Sequence, residues 1–191
     1  RLLFDHSTFN GHPRFFGYIT SSASPIGALA DMLAASVNPN CGAWGLSPAA
    51  TEIERQTVRW IAQLIGYPSD TGGLLVSGGN MANMVCLMAA LRVQAAWDVR
   101  TLGVSASTPL RVYASSEVHT WLQKAADICG IGTGAVRSVP VDASLAMDAG
   151  VLERLIAEDR AAGRRPAVVI GTAGSVSTGA IDPLPQLAEL C

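Results

Sequence analysis

The chain has 191 residues, 49% of them hydrophobic, with a mean hydropathy of +0.32, enough to bury a substantial core and to set intrinsic disorder aside. A formal net charge of −2 with 15% charged residues offers no basic field to a nucleic acid, and no uncharged apolar run of about 18 residues offers a membrane span. The expected partner is a small molecule or another protein chain.

Residues 1–16 show no sustained period and contain Gly11 and Pro13, which suits an extended arm. Ser24-Pro25 then opens a helix to about residue 36, with serine as N-cap and proline in the first turn. After a loop through Asn38, Pro39, Asn40 and Gly42, Ser47-Pro48 repeats the start signal. Ile53, Thr57, Trp60, Ile61 and Leu64 recur at helical spacing opposite Glu54, Arg55, Arg59 and Gln63, and Gly66 ends the helix.

Residues 73–76 form a short apolar strand candidate, joined by Ser77-Gly78-Gly79-Asn80 to a helix so apolar over 81–91 that it should be buried on most sides. The pattern then alternates: strand 110–114, helix about 120–129, strand 136–140, helix about 149–162, strand 167–170 and a helix from about Pro185. Gly130 and Gly163 stand at expected helix C-termini, and Asp148 at an N-cap. Alternating strands and helices define an α/β chain with a mostly parallel sheet.

The four cysteines, Cys41, Cys86, Cys129 and Cys191, include no CxxC pair, so neither a zinc site nor a disulfide framework is expected, and a reduced, cytoplasmic setting is. No metal ligand set is evident. The start at Arg1 without methionine and the finish at Cys191 inside a helical pattern suggest an incomplete chain.

Three segments carry chemistry. Ser77-Gly78-Gly79-Asn80 would leave backbone N–H groups at the positive end of a helix dipole, where a phosphate fits, although these four residues also suit an ordinary strand-to-helix turn. His119 follows a strand and opens a helix. It could stack on a planar ring or bond a carboxylate, or be a satisfied structural histidine. Residues 171–182 form a small-residue loop with hydroxyls at Thr172, Ser175, Ser177 and Thr178 and a carboxylate at Asp182 that could accept hydrogen bonds from the loop; alone it also fits a mobile surface loop. All three fall at predicted strand C-termini, the ligand edge of an α/β sheet. Nucleotide binding is disfavoured, because neither GxGxxG nor GxxxxGK[ST] occurs.

The ordered set His12-Pro13-Arg14-Phe15-Phe16, Leu29-Ala30-Asp31-Met32-Leu33, Ser47-Pro48 with Thr51-Glu52, the glycine turn at Ser77, Glu117-Val118-His119, Lys124-Ala125-Ala126, and Gly171-Thr172 with Gly179 and Asp182 resembles the group II pyridoxal-phosphate (PLP) dependent amino-acid decarboxylases of the aromatic-L-amino-acid and glutamate decarboxylase type. The resemblance covers nearly the whole chain. It implies the large domain of a fold-type I PLP-dependent transferase-like α/β fold, in part, with residues 1–66 as an N-terminal helical arm and 67–191 as the first part of the cofactor domain.

By the same resemblance Gly78, Gly79 and Asn80 hold the cofactor phosphate, His119 stacks on its ring as the catalytic histidine, Thr172 and Asp182 support the cofactor pocket, and Tyr18, Ser21 and Trp121 approach the substrate. It implies a homodimer acting on a small L-amino acid, aromatic or related. Two positions depart from the aromatic decarboxylases: Trp121 replaces a usual small serine and Val176 a usual threonine. The only lysine, Lys124, is expected on a helix surface, so the lysine that carries the cofactor is expected beyond Cys191 and the 191 residues alone are expected to be inactive. The competing expectations are another fold-type I activity, such as an aldehyde-forming decarboxylase or a lyase, and a non-catalytic fragment or paralogue acting as a scaffold.

Overall fold

The computed structural model describes residues 1–68 and 70–191, which form two compact units, Arg1–Leu75 and Val76–Cys191. In the first unit lie α1 (Leu2–Asp5), α2 (Pro25–Val37) and α3 (Pro48–Ile65). The arm expected over residues 1–16 is therefore not uniformly extended: its first turn is helical. The Ser24 side chain accepts the Gly27 N–H and begins α2, as its sequence signals. Ser47 makes no such side-chain bond, so α3 starts on its proline without the expected cap. Gly66 ends α3 in the left-handed conformation at φ +77°, its N–H bonded to the Ala62 and Gln63 carbonyls.

The strand expected at residues 73–76 does not form. A strand exists only by pairing, and here Leu74 and Leu75 are exposed while the Leu75 N–H is taken by the Glu54 carboxylate at 2.7 Å.

The second unit contains α4 (Gly78–Gln94), α5 (Val99–Leu102), β1 (Leu110–Ser115), α6 (Trp121–Ile128), β2 (Val136–Val139), α7 (Ala149–Ala161), β3 (Arg165–Ile170) and α8 (Leu184–Leu190). The three strands are parallel in the order β2-β1-β3. Alternation along β1 divides the core between two faces. Leu110, Val112 and Ala114 pack with Leu87 and Leu91 of α4 and Trp121, Leu122 and Ala125 of α6. Tyr113 points the other way, into Val139, Met147, Leu152, Ile156 and Leu187 beneath α7 and α8. Helices thus cover both faces of the sheet, the α/β layering that the alternating pattern predicted.

Helix α4 departs from expectation in its burial. Only Leu87 and Leu91 are buried, whereas Met81, Met88 and Val93 are exposed; one stripe meets the sheet layer and the opposite side is uncovered. Asp148 does cap α7, accepting the Val151 N–H at 2.9 Å.

One charged group lies wholly inside this unit. Asp159 is 0% exposed and accepts the Tyr113 hydroxyl at 2.8 Å and Arg164 Nη1 at 3.0 Å. Arg137 Nε stands 3.4 Å and Arg111 Nε 3.8 Å away. Burial pushes the carboxyl upward, but the Arg164 and Tyr113 hydrogen bonds and the other two guanidinium groups outweigh it and hold Asp159 below the usual carboxylate range. Burial, with Asp159 beside it, pushes the Tyr113 hydroxyl up. This network joins β1, β2 and α7. Among the described residues no helix is long and apolar enough to cross a membrane.

Candidate active site

Strand β1 continues through α6 on one face of the sheet, whereas β3 continues into α8 on the other. Between two neighbouring strands whose continuations part in this way, an α/β sheet opens a crevice at the strand C-termini. A cleft of about 710 Å³ lies there, lined by Ser77, Gly78, Gly79, Asn80 and Asn83 of the α4 start, Val118, His119 and Trp121 after β1, and the β3 end from Ile170 through Ala173 with Val176. The three segments singled out in the sequence therefore meet in one place.

The α4 end of the cleft is built to receive an anion. Gly78 has φ +79°, a conformation that suits glycine, and a Cβ added at Gly78 or Gly79 would meet nothing within 4 Å. The Ser77 side chain does not cap the helix, so the first-turn N–H groups keep their donors for a ligand at the positive end of the helix dipole.

His119 sits across the cleft at the entry to α6. Its Nδ1 accepts the Trp121 N–H at 3.2 Å, so the neutral ring carries its proton on Nε2. Trp121 is 8% exposed: most of its indole packs among Leu87, Val112 and Leu122, and the remainder forms cleft wall. Lys124 is exposed on α6 and does not line the cleft.

The third wall is held from behind. Asp182, 5% exposed, accepts the Thr172 N–H at 2.7 Å through Oδ2 and the Met147 N–H at 2.8 Å through Oδ1. One carboxylate thereby ties the loop after β3 to the segment that leads into α7. Asp182 is not itself a lining residue, whereas Thr172 is. Of the other loop hydroxyls, Ser175 is buried and Thr178 Oγ1 accepts the Ala180 N–H. Gly171 is closely approached by α8: a Cβ there would stand 2.5 Å from Leu184 Cδ2 and 3.1 Å from Leu187 Cδ1, so those side chains would have to shift.

Tyr18 and Ser21 belong to the first unit. Tyr18 is exposed with φ +62°, a backbone state rare for an aromatic residue, and its ring lies 6.1 Å from that of Phe15. Ser21 borders a groove formed with residues 8–13, Ser22 and Ala23. Asn83 lines the cleft from outside the segments singled out in the sequence, whereas Val118 and Ala173 line it from within them. Asn83 had a legible signal, because it stands three residues after Asn80 on one helical face.

Residues 2–191 match the pyridoxal-dependent decarboxylase conserved domain, and the chain belongs to that family. The aromatic-L-amino-acid decarboxylase of Bacillus atrophaeus is 31% identical over 191 residues, covering 100% of this chain and 38% of the relative. Human cysteine sulfinic acid decarboxylase is 32% identical with the same two coverages. The crystal structure of the glutamate decarboxylase domain of diaminobutyrate-pyruvate transaminase and L-2,4-diaminobutyrate decarboxylase from Vibrio parahaemolyticus superposes with a TM-score of 0.90 at 28% identity, covering 99% of this chain and 42% of that one. The expected fold class, part of a PLP-dependent decarboxylase α/β domain, is therefore shown. The chain spans 38% of the length of the two curated relatives.

Proposed function

We propose that the protein containing this chain is a PLP-dependent carboxy-lyase that converts an L-amino acid, aromatic or related, to its amine and carbon dioxide. The observation that carries this reading is the meeting, in one cleft at the ends of β1 and β3, of an uncapped glycine-led helix start, an exposed imidazole and a hydroxyl-bearing loop. Residues 1–66 serve as the arm and 67–191 as the first part of the cofactor domain.

The residues fit the cofactor's two ends. The N–H groups of Gly78, Gly79 and Asn80 bind its phosphate, with the α4 dipole adding to the attraction. His119 lies against its ring and, with its proton fixed on Nε2, presents a donor to the substrate carboxylate. Thr172 supports the pocket through its hydroxyl, and Asp182 holds Thr172 in place. Trp121 forms part of the substrate-pocket wall. When bound, PLP supplies an acceptor for the electron pair left by departing carbon dioxide. Lys124, on the outer side of α6, is not its anchor; that lysine comes from sequence outside these 191 residues, and the 191 residues alone are inactive.

The enzyme acts as a cytoplasmic homodimer in this reading. Free cysteines at Cys41, Cys86, Cys129 and Cys191 fit a reducing compartment. The uncovered apolar face of α2, at Ile26, Leu29, Met32 and Leu33, fits a subunit interface.

The test is incubation of the full-length protein and PLP with a panel of L-amino acids, assaying carbon dioxide and amine. Stoichiometric release of both from an aromatic or related substrate is expected. Aldehyde with peroxide in place of amine would move the protein to aldehyde-forming chemistry, and no turnover across the panel would contradict the proposal.

A further inference from the structure

The seventeen residues of α4 read GGNMANMVCLMAALRVQ. Asn80, Asn83, Met84, Leu87 and Leu91 share one helical stripe, since positions three and four apart stack on one face. Along most of its length that stripe is core: Leu87 and Leu91 are 3% and 2% exposed, with Met84 packed against the same cluster. In the first two turns, where the helix passes from the sheet to the cleft, the stripe changes to amides, and both Asn80 and Asn83 line the cleft. An asparagine inside a helix costs about 0.5 kcal/mol relative to alanine, so continuing the apolar stripe, or placing alanine there, would favour the helix more.

The direction of the Asn83 side chain follows from helix geometry. Side chains lean toward the helix N-terminus and over the turn that precedes them. Asn83 therefore reaches back along the face of Asn80 toward the free N–H groups of the first turn, and its amide offers two donors to whatever they hold.

We infer that Asn83 is a further phosphate-binding residue: its side-chain amide donates to the cofactor phosphate from the second turn of α4, adding to the backbone donors of the first. This rests on the reading of the cleft as a PLP site. An uncharged amide suits the position, because it adds donors without setting a cation's own hydration against the adjoining apolar core.

The test compares full-length wild-type, Asn83→Ala and Asn83→Asp apoproteins by absorbance titration with PLP and, separately, with pyridoxal, which lacks the phosphate. Inorganic phosphate serves as the competitor. Loss of a hydrogen bond to a charged group predicts a PLP dissociation constant about tenfold higher in Asn83→Ala, and higher again in Asn83→Asp, where a carboxylate faces the phosphate. Pyridoxal affinity stays unchanged and the thermal midpoint of the Asn83→Ala apoprotein does not fall, rising slightly if the helix gains from alanine, while phosphate competes less well in proportion. Equal losses for PLP and pyridoxal, or no loss for either, overturn the inference while leaving the PLP site standing. Failure of the wild-type protein to take up PLP overturns the reading of the cleft and this inference with it.

Discussion

Replacing Asp182 by asparagine removes one acceptor from a carboxylate that has two buried donors to satisfy. The N–H groups of Thr172 and Met147 lie 2.7 and 2.8 Å from its two oxygens, and an asparagine oxygen can accept only one of them while its NH2 faces the other. The remaining backbone N–H then loses a bond to a charged acceptor, at a cost of about 2 kcal/mol. Borne by local opening, that cost raises the population of open loop about 30-fold. Hydrogen exchange of the full-length protein, resolved by peptide mass, reads it directly: amides of residues 170–173 and 146–148 should exchange faster by about that factor, while β1 and β2 keep their protection. Unchanged exchange in both segments would refute the assignment of Asp182 as the tie behind the cleft wall. A general loss of protection would show a global role in its place.

Asp159→Asn leaves three partly exposed guanidinium groups facing an uncharged amide and weakens the charged hydrogen bonds to Arg164 and Tyr113, so a loss of about 2–3 kcal/mol is expected, measured as a lower urea midpoint of the full-length protein. Because the folded carboxyl titrates below its unfolded value, its contribution is complete above the ordinary carboxylate pKa and is lost as the pH falls through the lower folded value. Wild type should lose stability there by a step that the variant lacks, as pH-dependent urea melts would show. Gly78→Ala places a Cβ at φ +79°, which costs roughly 1–2 kcal/mol, and should weaken PLP binding in an absorbance titration, the thermal midpoint falling only slightly. His119→Ala should lower kcat sharply while the α4 phosphate contacts remain; phosphate competition equal to wild type would separate this from a folding defect.

The sequence made the second unit legible where local chemistry and tertiary packing agree. The short segments with apolar residues that became β1, β2 and β3 lie between turn residues, and Asp148 carries the capping oxygen its position requires. Residues 73–76 had the composition of a strand, but pairing is a tertiary property and the Leu75 N–H bonds Glu54. Similarly, the apolar length of α4 showed that it packs against a sheet, not that its other sides are uncovered.

For the cleft, the glycine turn, His119 and Thr172 were legible because α/β topology brings strand C-termini together. That Asp182 accepts a hydrogen bond from its own loop, at the Thr172 N–H, was legible too; its second bond was not, since Met147 lies 35 positions away and backbone donors leave no mark in side-chain identity. Trp121 was noted as a departure from the aromatic decarboxylases. Its place both in the core and in the cleft wall depends on how α4 and α6 close over β1.

The most direct test of the central claim is uptake of PLP by the full-length protein, followed by borohydride reduction and peptide mapping of the modified residue. The account predicts a visible absorption band lost on reduction, with the label on a lysine outside residues 1–191 and protection of the α4 start, residues 77–83, in hydrogen exchange. Absence of the band, or a label on Lys124, would contradict it.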